Sequence, residues 1–169
     1  MNLLQRKPTR LKGYDYGSTG AYFITICAKN RQCVLSSIVG EGLAPPVVRL
    51  TRNGEIVENQ ILFLNTRFSF VRVEKYVIMP NHIHLLLRIS ERGGNLAPAG
   101  GASPSPTVST IIGVLKSIVT RSCKCGTTLF QRSFHDHIIR NSEDYRRIWE
   151  YIDSNPAKWA EDCFYNQHS

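Results

Sequence analysis

The chain has 169 residues, 42% of them hydrophobic, and its 21 Lys and Arg against 13 Asp and Glu give a formal net charge of +8. That length carries a real core and suggests one domain over 1–169. Meanwhile no apolar run approaches the roughly 18 residues of a membrane helix, the basic polar N-terminus lacks a signal-peptide core, and an odd number of cysteines gives no disulfide framework. The expectation is a cytoplasmic protein with no membrane partner, and the positive excess points to a polyanion, most commonly nucleic acid.

In chain order, Arg6, Lys7, Arg10 and Lys12 are followed by Tyr14 and Tyr16 in an opening arm of eleven residues, 6–16. Cations for phosphates and aromatic rings for bases are what a single-strand groove uses, although a solvated arm has the same composition. Ala21–Ala28 is β-branched and aromatic and reads as a central strand. A short strand is expected around Val34 and Leu35, then a Pro-containing loop and an extended piece from Val47 to Leu50. Thr51 reads as a helix cap, followed by a helix through Glu55, Val57, Ile61 and Leu64. Phe70–Ile78 is the next strand.

Then comes Met79-Pro80-Asn81-His82-Ile83-His84, a tight turn leading into a strand. Alternation puts His82 and His84 on one face and Ile83, Leu85, Leu87 and Ile89 on the buried one. Two imidazoles on one face of a stiff strand form half of a divalent metal site; two polar residues on a solvated face would show the same pattern.

The stretch 91–106 is rich in Gly, Ala, Pro and Ser and reads as a surface insertion. Thr107–Ser122 has Val108, Ile111, Ile112 and Leu115 at helical spacing, with Lys116 off the apolar stripe. A turn and strand carry Arg132, His135, His137 and Arg140, and a DNA-facing strand or simple exposure accounts for the two histidines. Asn141 or Ser142 caps a last helix that ends near Asn155, before Pro156, and the tail with Trp159 and Phe164 is expected to fold back. On that helix Tyr145, Ile148, Trp149 and Ile152 form the apolar stripe, so Tyr145 reads as core. Tyr151 falls roughly 110° from the stripe's centre, and Asn155 lies one turn beyond it on the same side. A phenol and an amide oxygen can thus stand beside one metal, yet the helix alone favours a boundary tyrosine and an ordinary C-cap.

The element order gives an α+β, ferredoxin-like antiparallel sheet with helices on one face, the histidines on the other, and the tyrosine-bearing last helix near them. Met79-Pro-Asn-His-Ile-His-Leu-Leu86 resembles the His-hydrophobe-His motif of the single-tyrosine HUH transposases. Arg10-Leu-Lys-Gly-Tyr-Asp-Tyr16, Gly20-Ala-Tyr-Phe-Ile-Thr-Ile26, Phe134-His-Asp-His-Ile-Ile-Arg140 and Tyr151-Ile-Asp-Ser-Asn-Pro156 resemble the branch called REP-associated tyrosine transposases. The likeness covers nearly the whole chain outside the insertion. It implies metal ligands His82, His84 and Asn155 for Mg²⁺ or Mn²⁺, and Tyr151 as the nucleophile. It further implies metal-dependent cutting and joining of single-stranded, hairpin-forming DNA through a 5′-phosphotyrosine, by a monomer or homodimer associated with the nucleoid. Lys116, Arg132, His135, His137 and Arg140 join the opening arm as expected nucleic-acid contacts. Two rivals stand beside this: a domesticated binder of hairpin DNA or RNA that does not cut, and a zinc-stabilised regulatory domain built on Cys123, Cys125, His135 and His137, whose spacings match no common structural zinc pattern.

Overall fold

The computed structural model describes residues 19–40, 46–91, 107–124 and 126–165. Six strands and three helices follow one another among them: β1 (Gly20–Cys27), β2 (Ser36–Val39), β3 (Val47–Leu50), α1 (Arg52–Arg67), β4 (Val71–Ile78), β5 (His82–Ile89), α2 (Val108–Cys123), β6 (His135–Ile139) and α3 (Ser142–Ser154). The main sheet has four antiparallel strands in the order β4-β5-β1-β6, while β2 and β3 form a separate two-stranded ribbon. Leaving the ribbon aside, β1-α1-β4-β5-α2-β6 with β1 and β5 central is the ferredoxin-like arrangement expected from the sequence.

Strand alternation explains the layers. Tyr22, Ile24 and Ile26 of β1 and Ile83, Leu85 and Leu87 of β5 are fully buried against Val57, Ile61 and Leu64 of α1 and Ile111, Ile112, Leu115 and Val119 of α2. The intervening residues point to the opposite face, where Leu86 meets Ile148 and Ile152 of α3. Asn141 caps α3 by accepting the Asp144 N–H at 2.8 Å, and Glu143 and Asp144 in the first turn suit the positive end of the helix dipole. Thr51 and Thr107 cap α1 and α2 in the same way.

The short strand expected at Val34 and Leu35 lies two residues later, at Ser36–Val39. Leu35 is instead fully buried: its N–H goes to Pro80 O and its carbonyl accepts from both Thr51 N and Thr51 Oγ1. Its backbone is thereby spent on the β4–β5 turn and the α1 cap, and no ladder is left to join. The same carbonyl presses on α1 at Gly54, where a Cβ would stand 2.0 Å from Leu35 O. Backbone cannot give way as a side chain can. Gly54→Ala is therefore expected to destabilise the protein by about 3 kcal/mol, lowering its melting temperature by roughly 6–12 °C. A thermal melt within 2 °C or so of wild type would contradict this packing. The stretch 92–106 and the opening arm, including Arg6, Lys7, Arg10, Lys12, Tyr14 and Tyr16, lie outside the described residues.

Candidate active site

Register places the two histidines. His82 pairs with Cys27, and His84 lies between Thr25 on β1 and Val77 on β4, all in the middle of the sheet. Both imidazoles are closed over, at 0% and 1% exposure, so the solvated-face reading does not hold. His82 Nδ1 lies 2.9 Å from Asn81 Oδ1, and the Asn81 amide nitrogen is itself committed to Phe164 O at 2.8 Å. Asn81 Oδ1 thus accepts a hydrogen bond from His82 Nδ1–H, which leaves Nε2 with a lone pair. His84 Nδ1 meets Thr25 Oγ1 at 2.9 Å, and the two Nε2 atoms face each other at 3.0 Å. When His84 donates Nδ1–H to Thr25, two lone pairs converge on one point, the arrangement a cation between them selects.

Two further groups reach that point. Asn155, 2% exposed, donates through Nδ2 to Asp162 Oδ2 at 3.0 Å, while its Oδ1 is buried with no hydrogen-bond partner. Asp162 Oδ2 stands 3.9 Å from His82 Nε2, and Oδ1 accepts the Phe164 N–H at 2.7 Å. Ligand atoms of His82, His84 and Asp162 all lie within 4.8 Å of one another, the one such group among the described residues. Two imidazole nitrogens, a carboxylate and an orphaned amide oxygen fit a divalent cation. Cys123, His135 and His137 are not part of any such group, and Cys125 lies outside the described residues.

Sequence reasoning missed Asp162. It lies beyond Pro156, where the chain forms a 3-10 turn (Pro156–Glu161) that buries Trp159 and brings the tail over the histidines. Phe164 packs on the His82 ring at a centroid distance of 4.6 Å. The only available signal was an acidic residue between two aromatics that fold back.

Burial, with the Arg31 guanidinium adding to it, pushes His82 down to about 3, and burial beside His82 pushes His84 down to about 3. Both rings stay neutral in the folded protein, whereas in the unfolded chain they take up protons below about 6.5. Their share of stability is complete above pH 6.5 and is lost as pH falls from 6.5 toward 3. Urea denaturation of metal-free protein should show an added slope in that window approaching two protons, about 2.7 kcal/mol per pH unit. The His82→Gln/His84→Gln variant should lack it; parallel profiles would refute the assignment of neutral, buried rings.

Tyr151 stands at the edge of this cluster, 39% exposed, with Oη 3.4 Å from His84 Nε2. Burial and the Asp162 carboxylate push its phenol up to about 12. On one side it borders a cleft of about 280 Å³ shared with Ser154, Asn155, Lys158, Glu161, Asp162 and Cys163. On the other it borders a second cleft, lined also by Phe23, His137, Arg147 and Ile148. Tyr145, by contrast, donates its hydroxyl to Glu74 Oε2 at 2.9 Å and stacks on Trp149.

The expected DNA contacts divide. Arg132, His135 and Arg140 are exposed. His137 is exposed but bound to Asp144 at 2.6 Å. Lys116 is a correction. Its ammonium donates to the carbonyls of Gln131, Arg132 and Ser133 at 2.9, 3.3 and 2.8 Å, and burial pulls it down to about 8. It fastens the loop ahead of β6 and has no donor left for a phosphate.

No protein-family model matches the chain. It is 34% identical to an uncharacterized protein of Haemophilus influenzae over 175 aligned residues, covering 95% of this chain and 93% of that one. It is 22% identical to the REP-associated tyrosine transposase of Escherichia coli over 143 residues, covering 85% and 70% of the two chains. Among solved structures, a REP-associated tyrosine transposase bound to a REP hairpin superposes with a TM-score of 0.58 at 21% identity, over 94% of this chain and 74% of that one. That superposition is a likeness of fold.

Proposed function

Because the chain belongs to a family of transposases like the REP-associated tyrosine transposases, we propose that it cuts and rejoins single-stranded DNA beside hairpins, with Tyr151 as nucleophile. The observation that carries this reading is the gathering within one chain of Tyr151 Oη, the two Nε2 atoms of His82 and His84, and Asp162, with the buried Asn155 amide bound to that carboxylate. The set is complete without a second subunit, which favours a monomer acting in cis.

Tyr151 Oη attacks the scissile phosphorus and the P–O3′ bond breaks. The strand's 5′ end becomes a phosphotyrosine and a free 3′-hydroxyl leaves, taking up a proton, while the phenolic proton is released through the open cleft to water. One phosphodiester replaces another, so rejoining requires no ATP. A divalent cation held by His82 and His84 with Asn155 and Asp162, Mn²⁺ more readily than Mg²⁺ given the nitrogen ligands, would polarise the phosphate and offset the charge developing on it. Asp162 holds the Asn155 amide by its Nδ2 and leaves Oδ1 without a protein partner. Burial, with the Asp162 carboxylate adding to it, raises the phenol further above its ordinary value. The net charge of +8 supplies the attraction to phosphate, and the protein would act in the cytoplasm, at the nucleoid.

The test is covalent trapping: labelled single strands carrying a hairpin are incubated with protein and Mn²⁺ or Mg²⁺, then run on a denaturing gel. A protein–DNA adduct that EDTA abolishes is expected. Tight, salt-sensitive binding without any adduct would identify a hairpin-binding protein that does not cut.

A further inference from the structure

The second cleft beside Tyr151 has a volume of about 340 Å³ and is lined by Phe23, His137, Arg147, Ile148 and Tyr151. It falls within the range of roughly 300–1,000 Å³ typical of small-ligand clefts. Phe23 is unusual for its place. It sits in the middle of β1, the central strand, yet is only half-buried, because it points to the α3 face where α3 leaves it uncovered. Its ring is held by its neighbours, stacked on His84 at 5.1 Å and edge-on to Tyr151 at 5.9 Å. The opposite wall is fixed by one carboxylate: Asp144 takes His137 Nε2 on Oδ2 at 2.6 Å and an Arg147 N–H on Oδ1 at 2.7 Å. Both its oxygens are thereby engaged, and the remaining guanidinium donors of Arg147, whose side chain is 75% exposed, are open to a ligand.

We propose that this cleft is a nucleotide subsite: an unpaired base next to the cut phosphate lies against Phe23, and its own phosphate meets Arg147. This rests on the reading of Tyr151 as the residue that joins DNA. A flat aromatic floor, a cation at the rim and direct continuity with the candidate nucleophile together suit a nucleotide of the strand being cut better than an apolar peptide. A base seated there would set which phosphate faces Tyr151, so the subsite fixes the cutting position rather than holding the hairpin.

The experiment uses a strand that the wild-type protein joins in the trapping assay, with a single abasic site moved through the positions flanking the cut. Binding is measured in the Tyr151→Phe background, so that the strand stays whole. One position should lose affinity by about 5- to 150-fold, the value of one base–aromatic stack. That loss should vanish in Phe23→Leu, while abasic sites elsewhere cost the same in both proteins. A merely structural role for Phe23 would weaken all strands alike and leave the position-specific penalty in place, which would overturn the subsite. Should Phe23→Leu disturb the histidines, Arg147→Gln carries the test: its salt dependence should be shallower by about one phosphate, and an unchanged slope counts against the proposal. If no strand is ever joined, the parent reading fails and takes this one with it. If strands are joined but no position depends on Phe23, the subsite alone fails.

Discussion

Tyr151→Phe is expected to abolish the covalent adduct, a loss of at least about 10⁴-fold, while hairpin binding and thermal stability stay close to wild type. On the proposed reading this removes the oxygen that attacks phosphorus. The hydroxyl contributes little to the fold, because the residue is partly exposed and its approach to His84 is a long 3.4 Å. Tyr145→Phe is the control. It gives up the bond to Glu74, costs about 1 kcal/mol of stability, and keeps the adduct. The reverse result, loss in Tyr145→Phe and survival in Tyr151→Phe, would mean that the wrong tyrosine has been chosen. Rates add a second check. With the phenol pushed up to about 12, only about one molecule in 10⁵ is ionised at pH 7. Single-turnover adduct formation should then climb about tenfold per pH unit from 7 to 9. A rate flat across that range would show that ionisation of Tyr151 does not limit the step.

The second large effect is expected from His84→Ala, which should lower adduct formation by at least about 10³-fold in either metal. His84 is the hinge of the site: Thr25 fixes one ring nitrogen, His82 meets the other, and Phe23 stacks on its face. The loss should come with a thermodynamic signature. Saturating Mn²⁺ ought to raise the stability of the wild type by about 2.7 kcal/mol at one hundred times the dissociation constant, and by nothing measurable in His84→Ala. Asn155→Ala and Asp162→Ala should fall between the two proteins, since each removes one oxygen and leaves both imidazoles. Equal stabilisation of wild type and His84→Ala by the metal would place the cation elsewhere.

Much of this could be read from the chain, and the exceptions have physical reasons. His82 and His84 were legible because a strand has a period of two, and a tight turn leaves its register no freedom. Tyr151 and Asn155 were legible as a flank pair on a helix, although only the family resemblance separated them from a boundary tyrosine and a cap. Asp162 was not legible, because it reaches the histidines through an irregular tail with no periodicity to extrapolate. Lys116 misled for the opposite reason. A lysine off the apolar stripe of a helix ordinarily faces water, and only the loop 131–133, brought over it by the tertiary fold, turns it inward. The ribbon strand β2 was displaced because Leu35 answers to a cap and a turn that come later in the sequence.

Among the described residues the main sheet ends in β4 on one side and β6 on the other, with no further strand paired to either edge. Open edges invite another copy to add on, the first step toward stacked aggregates. Here both edges are blunted. β4 breaks its ladder at the irregularity between Val73 and Lys75 and carries Arg72, Glu74 and Lys75, while β6 is five residues long and places Asp136 between two histidines. A protein that gathered along DNA, as proposed, would need that protection more than most. Straightening β4 or neutralising its charges would be a poor exchange even where the folded state gained from it, since one copy would become a template for its neighbours.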